Sequence, residues 1–259
     1  MRNNDHRKGL ELDRVVQPGN KKEHKDVVVI ISAEAEWRVV CEWYEGCKTQ
    51  KSPYGDFFEM DMDIGGNPTS VLFFHGGWGK ICAAASTQYA IDRWSPSILV
   101  NLGTCGGFEG GIERETIILV DKTIVYDIVE KMGNADEAIR FYTTEVDLSW
   151  ITGDYPIPVR KSLLLSADRG LLPEEIPFLE RKYGAVAGDW ESGAIAYICS
   201  RNSQKCMILR GVTDLVSKSG GEAYDHVEIF ETNARQVMQN LLTSLPLWLE
   251  RCHIKHTQT

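Results

Sequence analysis

The spacing of hydrophobic and polar positions changes repeatedly along the chain, and each change marks an element. Val27-Val28-Val29-Ile30-Ile31 is an unbroken β-branched run, the pattern of a strand buried on both faces. A helical spacing follows over residues 34–44. Residues 56–63 and 69–75 read as two strands of a hairpin around Gly65-Gly66-Asn67-Pro68. Gly76-Gly77-Trp78-Gly79-Lys80 opens an Ala-rich helix over 81–94, which Pro96 stops. Residues 97–101 and 116–120 are the next strands, and 123–158 has no clear period. Leu163-Leu164-Leu165 is a strand. Residues 173–183 form a helix with Pro173 at its start. A short strand over 185–188 leads to a helix over 191–200. A strand over 205–210 follows. A long amphipathic helix over 224–245 closes the pattern, and Pro246 should end or kink it.

Strands and helices alternate without a long linker or a break in composition. That order predicts one α/β domain, with helices on the faces of a mixed, mostly parallel central sheet. The domain spans 27–259. Residues 1–26 are polar and mixed in charge, and are expected to form a flexible extension ordered only by a binding partner. Hydrophobic residues at 43% and charged residues at 25% suit a soluble globular chain of 259 residues. A net charge of −9 argues against nucleic acid or an acidic membrane surface as partner, since both need a basic face. No run is long enough to span a membrane. The seven cysteines form no CxxC pair and no Cys/His cluster. With no secretory signal, they read as reduced thiols of a cytoplasmic protein without a structural metal.

Candidate chemistry gathers where strands are expected to stop. Asp214 ends the strand Lys205–Arg210 plus Gly-Val-Thr. Partial burial there would raise its pKa and let it donate a proton near neutral pH, although it could equally be a helix cap. Asn101-Leu102-Gly103-Thr104-Cys105-Gly106-Gly107 reads as a strand-end loop whose glycines let a flat ligand approach the backbone. Glu36, beside Glu34, could be a general base on water or a solvated first-turn acid. Glu191, after Trp190, could bind vicinal hydroxyls or stand as a helix N-terminal acid. The loop 76–80 is an anion cradle or a tight turn, but it lacks the P-loop spacing. His75 reads as a structural histidine. In open α/β sheets such strand ends assemble one ligand crevice.

Together these motifs resemble the nucleoside phosphorylase/nucleosidase superfamily, most closely the methylthioadenosine/S-adenosylhomocysteine nucleosidases, over about residues 27–248. Ile31-Ser32-Ala33-Glu34-Ala35-Glu36 is similar to the family's first-strand motif, and His75 to Lys80 to its Gly-x-Gly-Lys turn. Residues 101–107 resemble its Asn-Thr-Gly-Ser-Ala-Gly-Gly loop. Asp189-Trp190-Glu191 falls on its Met-Glu pair, and residues 210–214 on its Arg-Ala-Ile-Ser-Asp motif.

The resemblance implies a three-layer α/β/α fold and hydrolysis of a purine nucleoside. Asp214 and Glu36 would be catalytic, as proton donor to the purine and activator of water. Glu191, Trp190, Thr104, Cys105, Gly106, Arg169 and Gly170 would contact substrate. It implies no cofactor, a small-molecule nucleoside partner, and a homodimer or higher homo-oligomer in which Trp78 and Phe108 reach a neighbouring site. Asn101 stands where related phosphorylases carry a phosphate-gripping arginine, which favours water as nucleophile. A phosphate-dependent phosphorylase and a non-catalytic nucleoside-binding or storage protein stay open as alternatives. Three departures bear on substrate. Trp190 replaces methionine, Arg169-Gly170-Leu171 stands where a purine-stacking aromatic is usual, and Cys105 replaces alanine. The base and the 5′ group are left open.

Overall fold

The computed structural model describes residues 23–252 and 254, so most of the polar extension, residues 1–22, lies outside the described residues. Residues 23–26 run along the domain, with the Lys25 amide donating to the Trp94 carbonyl at 2.9 Å and the Ser97 amide to the Lys25 carbonyl at 3.1 Å.

The β-branched run is strand β1 (Val27–Ile31), fully buried at all five positions. Helix α1 (Glu34–Trp43) follows, then β2 (Gln50–Ser52) and the hairpin β3 (Gly55–Ile64) and β4 (Asn67–His75). Helix α2 (Gly79–Trp94) ends where Ser95 takes a left-handed conformation, φ 38°, just before Pro96. Next come β5 (Ile98–Phe108), β6 (Ile117–Val125), α3 (Ala135–Phe141) and β7 (Thr143–Glu145). The second half holds β8 (Arg160–Ser166), α4 (Ile176–Tyr183), β9 (Ala187–Asp189), α5 (Ser192–Arg201), β10 (Cys206–Ser217), β11 (Gly220–Gly221) and α6 (Val227–Glu250).

All strands join one sheet in the order β11-β10-β6-β8-β9-β5-β1-β4-β3-β2, with β7 on β6. Strand β10 also pairs with β5, so β5, β10, β6, β8 and β9 close a ring. Parallel pairs β4–β1, β1–β5 and β5–β10 run through the middle. Antiparallel pairs include β3–β4, β10–β6 and β5–β9.

The unbroken apolar run is explained by two cores, one on each face of β1. Val27, Val29 and Ile31 pack with Val40 of α1 and Leu241, Leu245 and Trp248 of α6. Val28 and Ile30 pack with Ala83, Ala90 and Trp94 of α2 and Ile195 of α5. Burying each such side chain stabilises the fold by about 1.5–3 kcal/mol.

Four expectations need correction. Strands β5 and β10 do not stop at Asn101 and Arg210 but run on to Phe108 and Ser217 as a parallel pair. Helix α6 continues through Pro246, because Trp248 and Leu249 beyond it are buried in the core. Helix α4 begins at Ile176 rather than Pro173, with a proline in its own first turn. The stretch without a period holds the end of β6, then α3 and β7. Helix α3 is started by Asn134, whose side chain accepts from the amides of Asp136 and Glu137 at 3.0 and 3.2 Å.

Candidate active site

A cavity of about 730 Å³ opens beyond β1, along β5 and β10, and beside the turn from β9 to α5. Its walls include Glu36, Thr104, Cys105, Gly106, Arg169, Gly170, Trp190, Glu191 and Asp214. This size suits a small-molecule ligand.

Glu36 sits in the first turn of α1 yet is only 2% exposed, so it is not a solvated first-turn acid. Its Oε1 accepts from the Thr104 amide and the Thr104 hydroxyl, both at 2.7 Å. Its Oε2 accepts from the Ala33 amide at 3.2 Å. The carboxylate therefore ties the start of α1 to the middle of β5 and is held in one orientation.

Arg210 lies at the centre of the charges and is fully buried. Its Nε is 3.0 Å from Asp189 Oδ2 and donates to the Ser192 hydroxyl at 2.9 Å. Its Nη2 donates to Asn101 Oδ1 at 2.7 Å and lies 3.9 Å from Glu191 Oε2. A Cβ on Gly103 would fall 1.8 Å from Arg210 Nη1 and 3.0 Å from Glu36 Oε1. Glycine there is what lets the guanidinium lie against β5. Asn101 is fully buried and donates to the Ile30 carbonyl at 2.9 Å. It orients Arg210, and the cavity wall does not include it, so it bears on phosphate only indirectly.

Glu191 precedes α5, 6% exposed. Its Oε1 accepts from the Gly79 amide at 3.0 Å, where Gly79 takes φ +82° at the start of α2. The Lys80 amide donates to Asp168 Oδ1 at 2.7 Å, and the Lys80 ammonium pairs with Asp127. The loop 76–80 is thus a turn whose amides already hold the protein's own carboxylates. Burial, with the negative Asp189 second, pushes the Glu191 carboxyl up to about 8. Arg210 opposes this, but its closer partner is Asp189.

Asp214 is placed by an irregularity. The β5–β10 register runs Val212↔Cys105, then Asp214↔Gly106, so Thr213 is an extra residue. Such a bulge re-aims side chains. Consecutive residues Thr213 and Asp214 both line the cavity, which strict alternation along a strand would forbid. Burial raises the Asp214 carboxyl above its ordinary value, against the hydrogen bond from the Thr213 hydroxyl at 2.7 Å.

Trp190 stacks on Trp78, ring centroids 4.7 Å apart at 23°, and both line the cavity. Trp78 is 65% exposed. Phe108 is fully buried in a core cluster, so it cannot reach a neighbouring site. His75 stacks on Trp37 at 5.4 Å, away from the cavity wall. Arg169 is held by Glu175 at 3.1 and 2.7 Å and lies over the Tyr126 ring. Sequence reasoning missed Tyr224 and Phe230, which line the cavity from the segment before α6 and from the first turn of α6. It also missed the role of Arg210. The signal for Arg210 was a charged residue inside an otherwise apolar strand; for Tyr224 there was only an aromatic ahead of an amphipathic helix.

Residues 26–245 match the family model described as the phosphorylase superfamily. The chain is 27% identical over 208 residues to a 5′-methylthioadenosine/S-adenosylhomocysteine nucleosidase of Maridesulfovibrio salexigens, covering 75% of this chain and 88% of that protein. Its fold is similar to the Helicobacter pylori 5′-methylthioadenosine/S-adenosylhomocysteine nucleosidase solved with butyl-thio-DADMe-Immucillin-A, at TM-score 0.69 and 14% identity, over 86% of this chain and 98% of that one. It is also similar to the futalosine hydrolase of Helicobacter pylori, at TM-score 0.68 and 15% identity, over 85% and 97%. With that match across most of its length, the chain belongs to the phosphorylase superfamily.

Proposed function

We propose that the chain hydrolyses the N-glycosidic bond of a purine nucleoside of the methylthioadenosine and S-adenosylhomocysteine class. The observation that carries this reading is the meeting of Glu36, Glu191 and Asp214 in one cavity with unlike surroundings. A purine leaves poorly as an anion. Asp214, its carboxyl held up by burial, keeps a proton to give to N7, so the base departs neutral. Positive charge then grows at C1′ of the ribose. Glu191 is placed to take the ribose hydroxyls. Glu36, fixed by its three donors, accepts the proton of the attacking water. A positioned acid or base contributes about 10²–10⁴ in rate.

Water rather than phosphate fits the electrostatics. Arg210 is engaged by Asp189 and Asn101, and Arg169 by Glu175. Neither offers phosphate a free bidentate fork. The reading includes a homodimer or larger assembly. Ile81, Met132 and Phe141 support it, being 82%, 97% and 63% exposed on or near α2 and α3. It also includes a cytoplasmic location, which suits seven free cysteines. Among the described residues no helix is long and apolar enough to cross a membrane.

The test is incubation of the full chain with methylthioadenosine, adenosylhomocysteine and plain nucleosides, with and without phosphate, while free base is measured. Phosphate-independent release is expected. No release from folded protein overturns the reading, and release that needs phosphate replaces it with phosphorolysis.

A further inference from the structure

We propose that Trp78 and Glu34 make the cavity select nucleosides whose 5′ substituent carries a positive charge. This rests on the nucleosidase reading and concerns the substrate class of that same site.

The stereochemistry of a ribonucleoside places the substituent. The base sits on C1′, the hydroxyls on C2′ and C3′, and the 5′ carbon on C4′, so the 5′ group leaves beside the 3′ hydroxyl. The base end lies by Asp214. A Cβ on Gly106 would fall 3.2 Å from Leu171 Cδ1 and 4.0 Å from Asp214 Oδ2, and Tyr224 donates its hydroxyl to the Leu171 carbonyl. The ribose hydroxyls belong to Glu191, which accepts from the Gly79 amide, next in the chain to Trp78. The 5′ group therefore emerges at the rim that Trp78 and Trp190 form.

Glu34 stands on the same rim. Strands β1 and β4 pair in parallel up to Ile31↔His75, and the Gly76 amide donates to the Ile31 carbonyl at 2.8 Å. From these adjacent strand ends one segment leads to Glu34 and the other to Trp78, and both residues line the cavity. The Glu34 side chain is 71% exposed, with Oε2 3.9 Å from His75 Nε2. Trp78 stacks on Trp190 and is still 65% exposed. An open indole beside a carboxylate attracts a cation through the ring quadrupole and through charge. The other walls have the same sign. Glu34, Glu36, Asp189, Glu191, Asp214 and Asp225 line the cavity against two basic residues, Arg169 and His226. Arg169 is paired with Glu175, and His226 lies 3.4 Å from Glu228. A carboxylate on the 5′ group would meet like charge instead.

The experiment compares kcat/KM on the full chain for three adenosines of equal tail length. They are 5′-(3-aminopropylthio)adenosine, 5′-(3-hydroxypropylthio)adenosine and 5′-(2-carboxyethylthio)adenosine. The amine should exceed the neutral hydroxyl by about tenfold, one exposed cation–π contact plus one exposed ion pair, and the carboxylate should fall below it. Glu34→Gln and Trp78→Leu should each lower the amine-to-hydroxyl ratio about threefold. Because a ratio is read on one protein sample, partial misfolding cancels. A wild-type ratio under about threefold overturns the proposal. So does a carboxylate cleaved as well as the hydroxyl, or a ratio that either variant leaves unmoved. Release of base from none of the three overturns the nucleosidase reading instead.

Discussion

Asp214 and Glu36 line the same cavity and are nearly equally hidden, at 7% and 2% exposed, yet their partners differ in kind. Asp214 receives one hydroxyl hydrogen bond, from Thr213, and the charge that acts on it is the like charge of Glu222. Glu36 receives two amides and a hydroxyl, and lies in the field of Arg210. Burial alone does not assign a carboxylate its chemistry; the donors around it do. Burial raises the Asp214 carboxyl, while Glu36 is fixed in place by its three donors. An acid and a base can then stand side by side in one small volume.

The hardest test of this contrast is Asp214→Asn. It keeps shape and removes the proton. Turnover should fall by about 10²–10⁴ while nucleoside binding, read by calorimetry, changes little. The pH profile should change as well. An acid must be protonated to act, so wild-type kcat declines as pH rises through the elevated Asp214 value, and the variant should lack that alkaline limb. A loss under tenfold would place the proton donor elsewhere.

Next in size is Arg210→Met. The guanidinium balances Asp189 directly and Glu191 at longer range. Removing one partner of a buried pair typically costs about 3–5 kcal/mol, and denaturant titration should show a loss of that order. A change under about 1 kcal/mol would mean the acids are balanced by something other than Arg210.

Glu191 gives a third, pH-dependent test. Its folded carboxyl sits at about 8, above the ordinary 4.5. Between those values the folded state binds more protons than the unfolded one, so stability falls as pH rises across the window. Glu191→Gln should flatten that decline in urea midpoints taken at about pH 5 and about pH 8.5. An unchanged slope would show that Glu191 is not the group responsible.

The local signals of the sequence were read well where they act locally. The β1 run, α1, the β3–β4 hairpin and α2 fall within a few residues of their expected bounds. Failure came where long-range pairing outweighs local breakers. Gly103, Gly106 and Gly107 look like a loop, and Gly211-Val212-Thr213 like a strand end. Residues 103–107 pair with 210–215, from Arg210↔Gly103 and Gly211↔Thr104 to Leu215↔Gly107, so two weak strands are stabilised by each other. Placement in one cavity was legible for the three acids, Glu36, Glu191 and Asp214, because each stands near the end of an apolar run. The bulge at Thr213 and the Tyr224 cap on Leu171 left no pattern in sequence, since both depend on register and on the path into α6.

The finest test uses two threonines that hold the two carboxylates from paired strands. Thr213 donates to Asp214 at 2.7 Å and Thr104 to Glu36 at 2.7 Å. The Thr213 hydrogen bond opposes the upward shift of Asp214. Thr213→Val should therefore raise Asp214 further and carry the alkaline limb of kcat to higher pH. One hydrogen bond is worth about 1 kcal/mol, so the displacement should be under about one pH unit. Thr104→Val leaves Glu36 its two backbone donors. It should lower kcat by no more than about tenfold and leave the alkaline limb in place. If both variants displace the same limb, the carboxylates titrate as one coupled unit, and the division of labour between Asp214 and Glu36 fails.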